Sequence, residues 1–571
     1  MRVAIVGGGP SALFVFKAFL DQRRTNLEIK IFESGDRLGG GMPYSDAGAN
    51  VEHVTNVSGN EIPSLVTPLV DWLATLEPEH LQRYGIDPTN LHDYKVVPRL
   101  LFGEYLGAQF RMLLEQAEQS GVKTRRRLQT CVADLADDPA SEQVVVTLAD
   151  GSRETFDHVV LCTGHTWPRT HEGRQPGYFD SPYPPRKLAG RFNHPIAVRG
   201  ASLTALDAVR TLARNHGEFV CTAPHRLRFQ LREGCERFKI VMHSREGFLP
   251  GIRFHLDDPH LTKTSLLTED QLYEHRRTNA GFISLDYLFE NDFKAGFRKK
   301  DPAFFELIKT MSLEEFVELM MSERERSEPF AFFKREYDEA LRSIRNEESI
   351  SWKEKLAILS FAMNQPAKYF SAEDRLRLQN VLMPLISLVI AFVPQSSCEQ
   401  LIALHEAGVV ELVAVGADSR VEPHPAGGVV YHYATPDEAR ESVHFAMFID
   451  CVGQPHLSFD DFPFESLKAQ RAVSRAKLKF RDAEKAAAEL KKGNRHVERS
   501  TDGSYRLRVP GIAISDDFQV VGSDGRANER VYTMAVPLMG GFNPDYSGLD
   551  FCEFASERIV ARILSIGERA S

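Results

Sequence analysis

Gly7, Gly9 and Ala12 stand at G-x-G-x-x-A spacing between the apolar run "RVAIV" and the run "PSALFVFKAFL", whose apolar residues recur at helical spacing. Small residues at these positions have a definite use. The first permits a tight turn, the second lets backbone approach a pyrophosphate, and the third lets a helix pack close to a strand. A helix opening at Pro10, Ser11 and Ala12 points its N-terminal amides and dipole at that phosphate. A second strand-like run, "LEIKIFE", ends in Glu33, about 20 residues past the turn, where an acid accepts hydrogen bonds from ribose hydroxyls. An acid suits an unphosphorylated ribose, as in FAD or NAD. The alternative is a nucleotide-free parallel α/β domain with a glycine turn.

The residues just beyond the acid favour FAD. Arg37 and then Gly39, Gly40, Gly41 and Met42 come directly after it, and a second glycine run lets the chain pass close to a long ligand. The run "FDHVVLC" ends at Thr163–Gly164. Near the C-terminus, "RVYTMAVPLMGGFNPDYSGLDFCEFASERIVARIL" reads as a strand, a Gly540–Gly541 loop and an amphipathic helix. Together these four segments resemble the FAD-binding segments of two-dinucleotide flavoproteins. There the acid, the basic residue and the glycines line FAD, and the closing loop and helix approach the flavin ring.

A second copy begins at "HPIAVRGASLTALDAVRTLARN". Gly200 supplies the turn, and Ser202 occupies the middle glycine position, its hydroxyl free to donate to phosphate. Leu203 opens the helix and Ala205 keeps the third position small. The next strand-like run, "RFKIVMHS", ends in Ser244–Arg245 instead of an acid. An acid repels a 2′-phosphate, whereas an arginine binds it through two hydrogen bonds, so NADPH is expected over NADH. The run "AMFIDCVGQP" ends in Gly453–Gln454, a second return to the site. The alternative is a decayed repeat in which Arg245 is a surface charge.

Composition limits the rest. The 571 residues carry a net charge of −10, with 43% hydrophobic and 26% charged residues, an ordinary soluble mix without a basic face for nucleic acid or an anionic membrane. The basic run "KTRRR", Lys123–Arg127, has no interleaved aromatics and reads as a solvated helix end or loop. "LMPLISLVIAFVP" is too short to span a bilayer and reads as a buried helix or strand. "MRVAIVGGGP" is already strand and turn, with no signal peptide ahead of it. The seven cysteines are scattered with no C-x-x-C pair, which fits the cytoplasm, offers no metal cluster, and argues against disulfide-reductase chemistry.

The expected fold class is α/β, with two Rossmann-like dinucleotide-binding domains, the FAD domain discontinuous, and a helical insert. The expected boundaries are 1–190 and 457–571 for the FAD domain, 191–255 and 396–456 for the NAD(P) domain, and 256–395 for the insert. Phe330, Phe332, Phe333, Tyr337 and Trp352 of the insert read as core residues. "RAKLKFRDAEKAAAELKKGN" reads as a solvated helix stopped by Gly493.

With these segments in place, the chain resembles the FAD/NAD(P)-binding protein family typified by YdhS. The matching stretches are "GMPYSD" (Gly41–Asp46), "HLQRYG" (His80–Gly85), "LHDYKVVPRLLFGEYLGAQF" (Leu91–Phe110), "TGHTWP" (Thr163–Pro168), "GASLTALDA" (Gly200–Ala208) and "LIALHEAGVVELVAVG" (Leu401–Gly416). More distantly it is similar to flavin-dependent N-hydroxylating monooxygenases, in which NADPH reduces FAD and oxygen is the second substrate. That resemblance implies a single-component monooxygenase acting on a small polar substrate with FAD and NADPH. The Baeyer–Villiger fingerprint F-x-G-x-x-x-H-x-x-x-W-P is absent, and no match is found to the amino-acid-binding residues of the N-hydroxylases. Two other readings stay open: a reductase or dehydrogenase with a non-oxygen acceptor, and a nucleotide-sensing, partner-binding flavoprotein. In the segment "EHVTNVSGNEIP", His53, Asn56, Ser58 and Asn60 are polar residues expected near the flavin ring. Asn56 is the favoured catalytic candidate, and His165, after the Thr163–Gly164 turn, is the second. Pro98 and Arg99 open a helix, with Arg99 facing phosphate or solvent.

Overall fold

The computed structural model describes the chain except residues 25, 166, 224–225, 259–264, 436–438, 455, 501, 543, 545–547 and 570–571. Two sheets organise it. Their strands, in chain order, are β1 (Arg2–Val6), β2 (Glu28–Phe32), β3 (Lys123–Arg127), β4 (His158–Leu161), β5 (Tyr178–Phe179), β6 (Pro195–Arg199), β7 (Lys239–Ser244), β8 (Val410–Ala414), β9 (Phe448–Asp450), β10 (Gln519–Val521) and β11 (Ala527–Thr533). The first sheet runs β10-β11-β4-β1-β2-β3 and the second β8-β7-β6-β9-β5. All neighbours pair in parallel except the antiparallel β10 and β11. Parallel strands covered on both faces read as continuous apolar runs. That is why "VAI" of β1 and "IAV" of β6 are wholly apolar, and Val3, Ala4, Ile5, Ile196, Ala197 and Val198 expose no surface.

The helices that matter for the site are α1 (Pro10–Asp21), α2 (Leu69–Ala74), α3 (Pro78–Arg83), α4 (Arg99–Ser120), α5 (Leu203–His216), α6 (Pro329–Asn346), α7 (Gln395–Glu406) and α8 (Gly548–Arg569). α1 packs against α4 and α8, and α5 against α7.

The two sheets are copies of one plan. The order β4-β1-β2-β3 corresponds strand for strand to β9-β6-β7-β8. Each copy also places a three-stranded antiparallel sheet just before its return strand. Val132–Asp138, Gln143–Leu148 and Arg153–Phe156 precede β4; Arg420–Pro423, Val429–Ala434 and Arg440–Phe445 precede β9. β5 joins the second sheet by pairing with β9, although it lies ahead of residue 191, where that unit was expected to begin. Between β7 and β8 the chain is largely helical, with its own core of Phe289, Phe293, Phe297, Phe316, Leu356 and Leu385. α6 belongs elsewhere in packing terms: Phe330, Phe333, Tyr337 and Ala340 enter the core of the second sheet. Phe332 and Trp352 are half-buried.

Two local expectations need correction. Lys123–Arg127 is no loop or helix end. It is the edge strand β3, paired in register with β2 from Glu28↔Lys123 to Phe32↔Arg127. An edge strand has one neighbour only, so charged side chains are tolerated and discourage edge-to-edge association. The stretch from Arg475 is not one helix either. Arg475–Lys479 is a strand, and Asp482 then caps a separate helix, Ala483–Lys491, by accepting from the Glu484 and Lys485 amides. "LMPLISLVIAFVP" contains the helix Met383–Val389, with Leu385, Ile386 and Val389 buried. Among the described residues no helix is long and apolar enough to cross a membrane.

Candidate functional site

The first glycine turn is fixed by its neighbours. Gly7 has φ +105°, and a Cβ there would lie 2.1 Å from the Cys162 carbonyl oxygen at the end of β4. Only glycine fits both the backbone conformation and the contact. Gly9 faces the second glycine run: a Cβ on Gly9 would meet Gly41 Cα at 3.3 Å, and one on Gly41 would meet Gly9 Cα at 3.2 Å. The two glycine runs thus form one surface, with Gly39 N donating to Gly8 O at 2.8 Å. Glu33 braces it. Its carboxylate accepts from Gly8 N at 2.6 Å and from Gly35 N at 2.5 Å, which leaves further lone pairs on each oxygen. α1 opens at Pro10 with no side-chain cap and no acid in its first turn. Ala12 is fully buried, as close helix packing requires.

These residues line a cavity of about 940 Å³. Gly7, Gly9, Pro10, Ser11, Glu33, Arg37, Gly40, Gly41 and Met42 border it, as do Thr163, Gly164 and His165 after β4. Met534–Leu538 and the start of α8 close the other side. Ser11 Oγ lies 3.4 Å from Cys552 Sγ. Burial pushes the Cys552 thiol up to about 12 and the Cys162 thiol well above its ordinary value, so these two of the three cavity-lining thiols are held protonated.

The second turn repeats the first. Gly200 has φ +114°, and a Cβ there would lie 2.6 Å from the Cys451 carbonyl oxygen. Gly7 N donates to Phe32 O at 2.8 Å, and Gly200 N to His243 O at 2.7 Å. Ser202 is the N-cap of α5, yet its hydroxyl makes no capping hydrogen bond, and Leu203 opens the helix with no acid in the first turn. Elsewhere the same residue class does cap its helix: Ser312 forms a full capping box with Glu315. Ser244 Oγ at the end of β7 is buried and has no partner among the described residues. Arg245 next to it is exposed, 3.9 Å from Glu246. Gly453, after β9, has φ +87° and open space around it. An open glycine turn, an uncapped helix start, an orphaned hydroxyl and a projecting arginine fit a phosphate-bearing dinucleotide.

Several expected ring-facing residues lie elsewhere. Asn56 is exposed and does not border the cavity; its carbonyl accepts from Arg253 Nη1 at 2.6 Å. Ser58 accepts from Arg253 Nη2 at 2.8 Å and donates to Glu61 and Asn60, and Arg253 pairs with Glu61. The segment turns away from the cavity because a buried cation on the far side needs that carboxylate and those oxygens. Gly540 and Gly541 are buried packing positions, not cavity lining. A Cβ on Gly540 would meet His456, one on Gly541 would meet Pro510, and Gly540 O accepts from Arg375 at 3.0 Å. The loop beyond them contains residues 543 and 545–547, outside the described residues. His165 does border the cavity, where Nδ1 contacts Gln454 of the second return loop.

Sequence reasoning missed the bolt between the two units. Arg99, the first residue of α4, faces a carboxylate: it donates from Nη2 to both oxygens of Asp207 in α5, at 2.7 and 2.5 Å. Tyr183 OH donates to the same carboxylate at 2.5 Å. His53 Nδ1 accepts from Asn50 N at 3.2 Å, so its proton sits on Nε2, 3.1 Å from Asp207 O and 3.0 Å from Thr211 Oγ1. Burial by itself would raise the Asp207 carboxyl; Arg99 and His53 outweigh it and hold it below the ordinary range. Burial lowers His53.

His243 shows how burial couples to pH. It lies in β7 just before Ser244, stacked on Tyr431 at 4.2 Å, and burial lowers it to about 4. A histidine buried neutral contributes in full above its unfolded value of about 6.5, and that contribution is lost as pH falls toward the folded value. The shift corresponds to roughly 3 kcal/mol, and His53, His158 and His216 are lowered too. The melting temperature should therefore fall between pH 6.5 and 4, and less steeply in His243→Leu. An equal slope in the two proteins would remove His243 from the account.

The first cradle and the helical insert match known protein families. Residues 4–166 match the model of an FAD-NAD(P)-binding domain, and residues 268–390 match the YdhS-like middle domain. YdhS of Escherichia coli (strain K12) is 31% identical over 473 residues, 82% of this chain and 86% of that protein. Among solved structures, the ornithine N-hydroxylase KtzI of Kutzneria sp. 744 aligns at TM-score 0.45 and 14% identity, over 100% of this chain and 99% of that one. The ornithine hydroxylase PvdA of Pseudomonas aeruginosa aligns at 0.46 and 12%, over 99% and 98%.

Proposed function

We propose, from the premise that this chain belongs to the YdhS-like family of FAD/NAD(P)-binding proteins, that it is an FAD-dependent oxidoreductase drawing electrons from NADPH. In this reading it works as a single-component monooxygenase on a small polar substrate, with oxygen as co-substrate. The observation that carries the proposal is the repeated cradle. Gly7 and Gly200 hold the same strained turn against the return strands at Cys162 and Cys451, each ahead of a helix start left open for phosphate.

Bound FAD would supply the hydride acceptor and the oxygen-activating centre, which is chemistry the side chains here do not offer. The chain's own residues bind and orient. Glu33 is fixed where a ribose binds, and Arg37, Gly40, Gly41 and Met42 line the path of the pyrophosphate and beyond. Ser202, Ser244 and Arg245 take the phosphates of NADPH. His165 and Gln454 stand where the two return loops meet, and His165 is the remaining side-chain candidate for contact with the reacting groups. Cys162 and Cys552 are free and held protonated, which favours oxygen over a disulfide as the electron acceptor. Seven free thiols, two of them exposed, suit the reducing cytoplasm as the setting.

Arg245→Ala tests the nucleotide assignment. Loss of a bidentate phosphate contact should weaken NADPH binding by about ten- to a hundredfold and leave NADH binding unchanged. Equal affinities of variant and parent for NADPH would place the 2′-phosphate elsewhere.

A further inference from the structure

His80 and Arg83 of the stretch "HLQRYG" face a second, open cavity of about 860 Å³, bordered by α2, α3, α4 and the chain around β3. Arg37, Gly103 and Glu104 line both cavities and form the wall between them. The interior is apolar, with Leu38, Trp72, Leu76, Phe110, Leu114 and Leu128. The rim is cationic. Arg37, Arg83, Arg111 and Arg126 border it, from a glycine-rich loop, α3, α4 and β3 respectively.

Three carboxylates, Glu77, Glu79 and Glu104, line the same cavity and are outnumbered by the four guanidiniums. Glu104 is engaged twice: Tyr84 OH donates to Oε1 at 2.6 Å and His80 Nε2 to Oε2 at 2.7 Å. Arg83 Nη2 lies 2.6 Å from His80 Nδ1. A guanidinium only donates, so Nδ1 accepts and Nε2 carries the proton given to Glu104. The relay Arg83, His80, Glu104, Tyr84 thus holds Arg83 at the rim. Arg111 and Arg126 make no hydrogen bond or ion pair with any described residue, and Arg37 has only a 3.3 Å contact with its neighbour Asp36. Arginines gathered from four segments around an apolar hollow, two of them without partners, are complementary to a negative head on an apolar body.

We propose that this cavity is a third binding site, adjoining the flavin cavity, for a small organic anion with an apolar body. The apolar part enters between α2 and α4, and the anionic head meets Arg111, Arg126 and Arg83. A charge-assisted pair of arginine contacts accounts for selectivity over a neutral molecule of the same shape.

The test is calorimetric titration of the FAD-loaded full chain with octanoate, 1-octanol and inorganic phosphate, repeated on the Arg111→Ala/Arg126→Ala double variant. Both replaced residues are exposed and outside the flavin cavity, so FAD content serves as the control for folding. Octanoate should bind saturably to the parent, with 1-octanol and phosphate at least about tenfold weaker, and the double variant should lose about tenfold in octanoate affinity at unchanged FAD content. Absence of saturable octanoate binding, equal affinity in the double variant, or 1-octanol or phosphate binding as tightly would each overturn the proposal.

Discussion

Asp207→Ala is expected to destabilise the chain by about 3–5 kcal/mol, the cost of leaving a buried cation without its partner. The Asp207 carboxylate is buried and receives hydrogen bonds from Arg99 and Tyr183, while its carbonyl lies beside His53. Removing it strands the Arg99 guanidinium, which is itself held strongly protonated by that carboxylate against the effect of burial. The bolt joins α4 of the first unit to α5 of the second, so the loss should appear in urea unfolding monitored through either unit. It also carries a pH signature. The folded value of Asp207 is depressed, so its contribution is complete above the unfolded value of about 3.9 and is lost as pH falls through the folded value. The parent should show that acid limb and Asp207→Asn should lack it. A variant with unchanged urea midpoint at pH 7 would mean that the pair contributes nothing to holding the units together.

Gly7→Ala should abolish FAD retention. The left-handed φ of +105° disfavours any side chain, and the added methyl would sit 2.1 Å from a backbone oxygen of the adjoining strand β4, which cannot move without breaking the sheet. A loss of roughly 3 kcal/mol in stability is expected alongside the loss of flavin. Gly9→Ala is the informative contrast, since its methyl would meet Gly41 Cα at 3.3 Å, tight but not prohibitive. It should keep most of its stability and lose flavin affinity in part. The check is flavin content per chain after purification, together with the melting temperature. Equal flavin content in Gly7→Ala and the parent would contradict the role given to the turn.

The glycine turns were legible in the chain because their signal is local. Gly7, Gly9, Ala12 and Glu33 act within one strand-turn-helix-strand unit, and Gly200, Ser202 and Ser244 repeat it. Asn56 was misplaced for the opposite reason. Its segment is steered by Arg253, which lies 197 residues further along, and nothing near Asn56 announces that partner. The Arg99–Asp207 bolt spans 108 residues and pairs two helices that the sequence shows only separately. The edge strand Lys123–Arg127 was hidden because its charges are permitted by position in the sheet, not by pattern. Gly540–Gly541 gave a true glycine signal with another cause: close packing against His456, Val509 and Pro510.

The central claim, two working dinucleotide cradles on one chain, is tested most directly by anaerobic reduction. FAD-loaded protein is mixed with NADPH or with NADH while the flavin absorbance is followed, and oxygen is then admitted. The account predicts rapid bleaching with NADPH, slower bleaching with NADH, and recovery of the absorbance on oxygen. Flavin that stays oxidised in the presence of either nucleotide would contradict it and leave the Gly200 turn a fold element without a ligand.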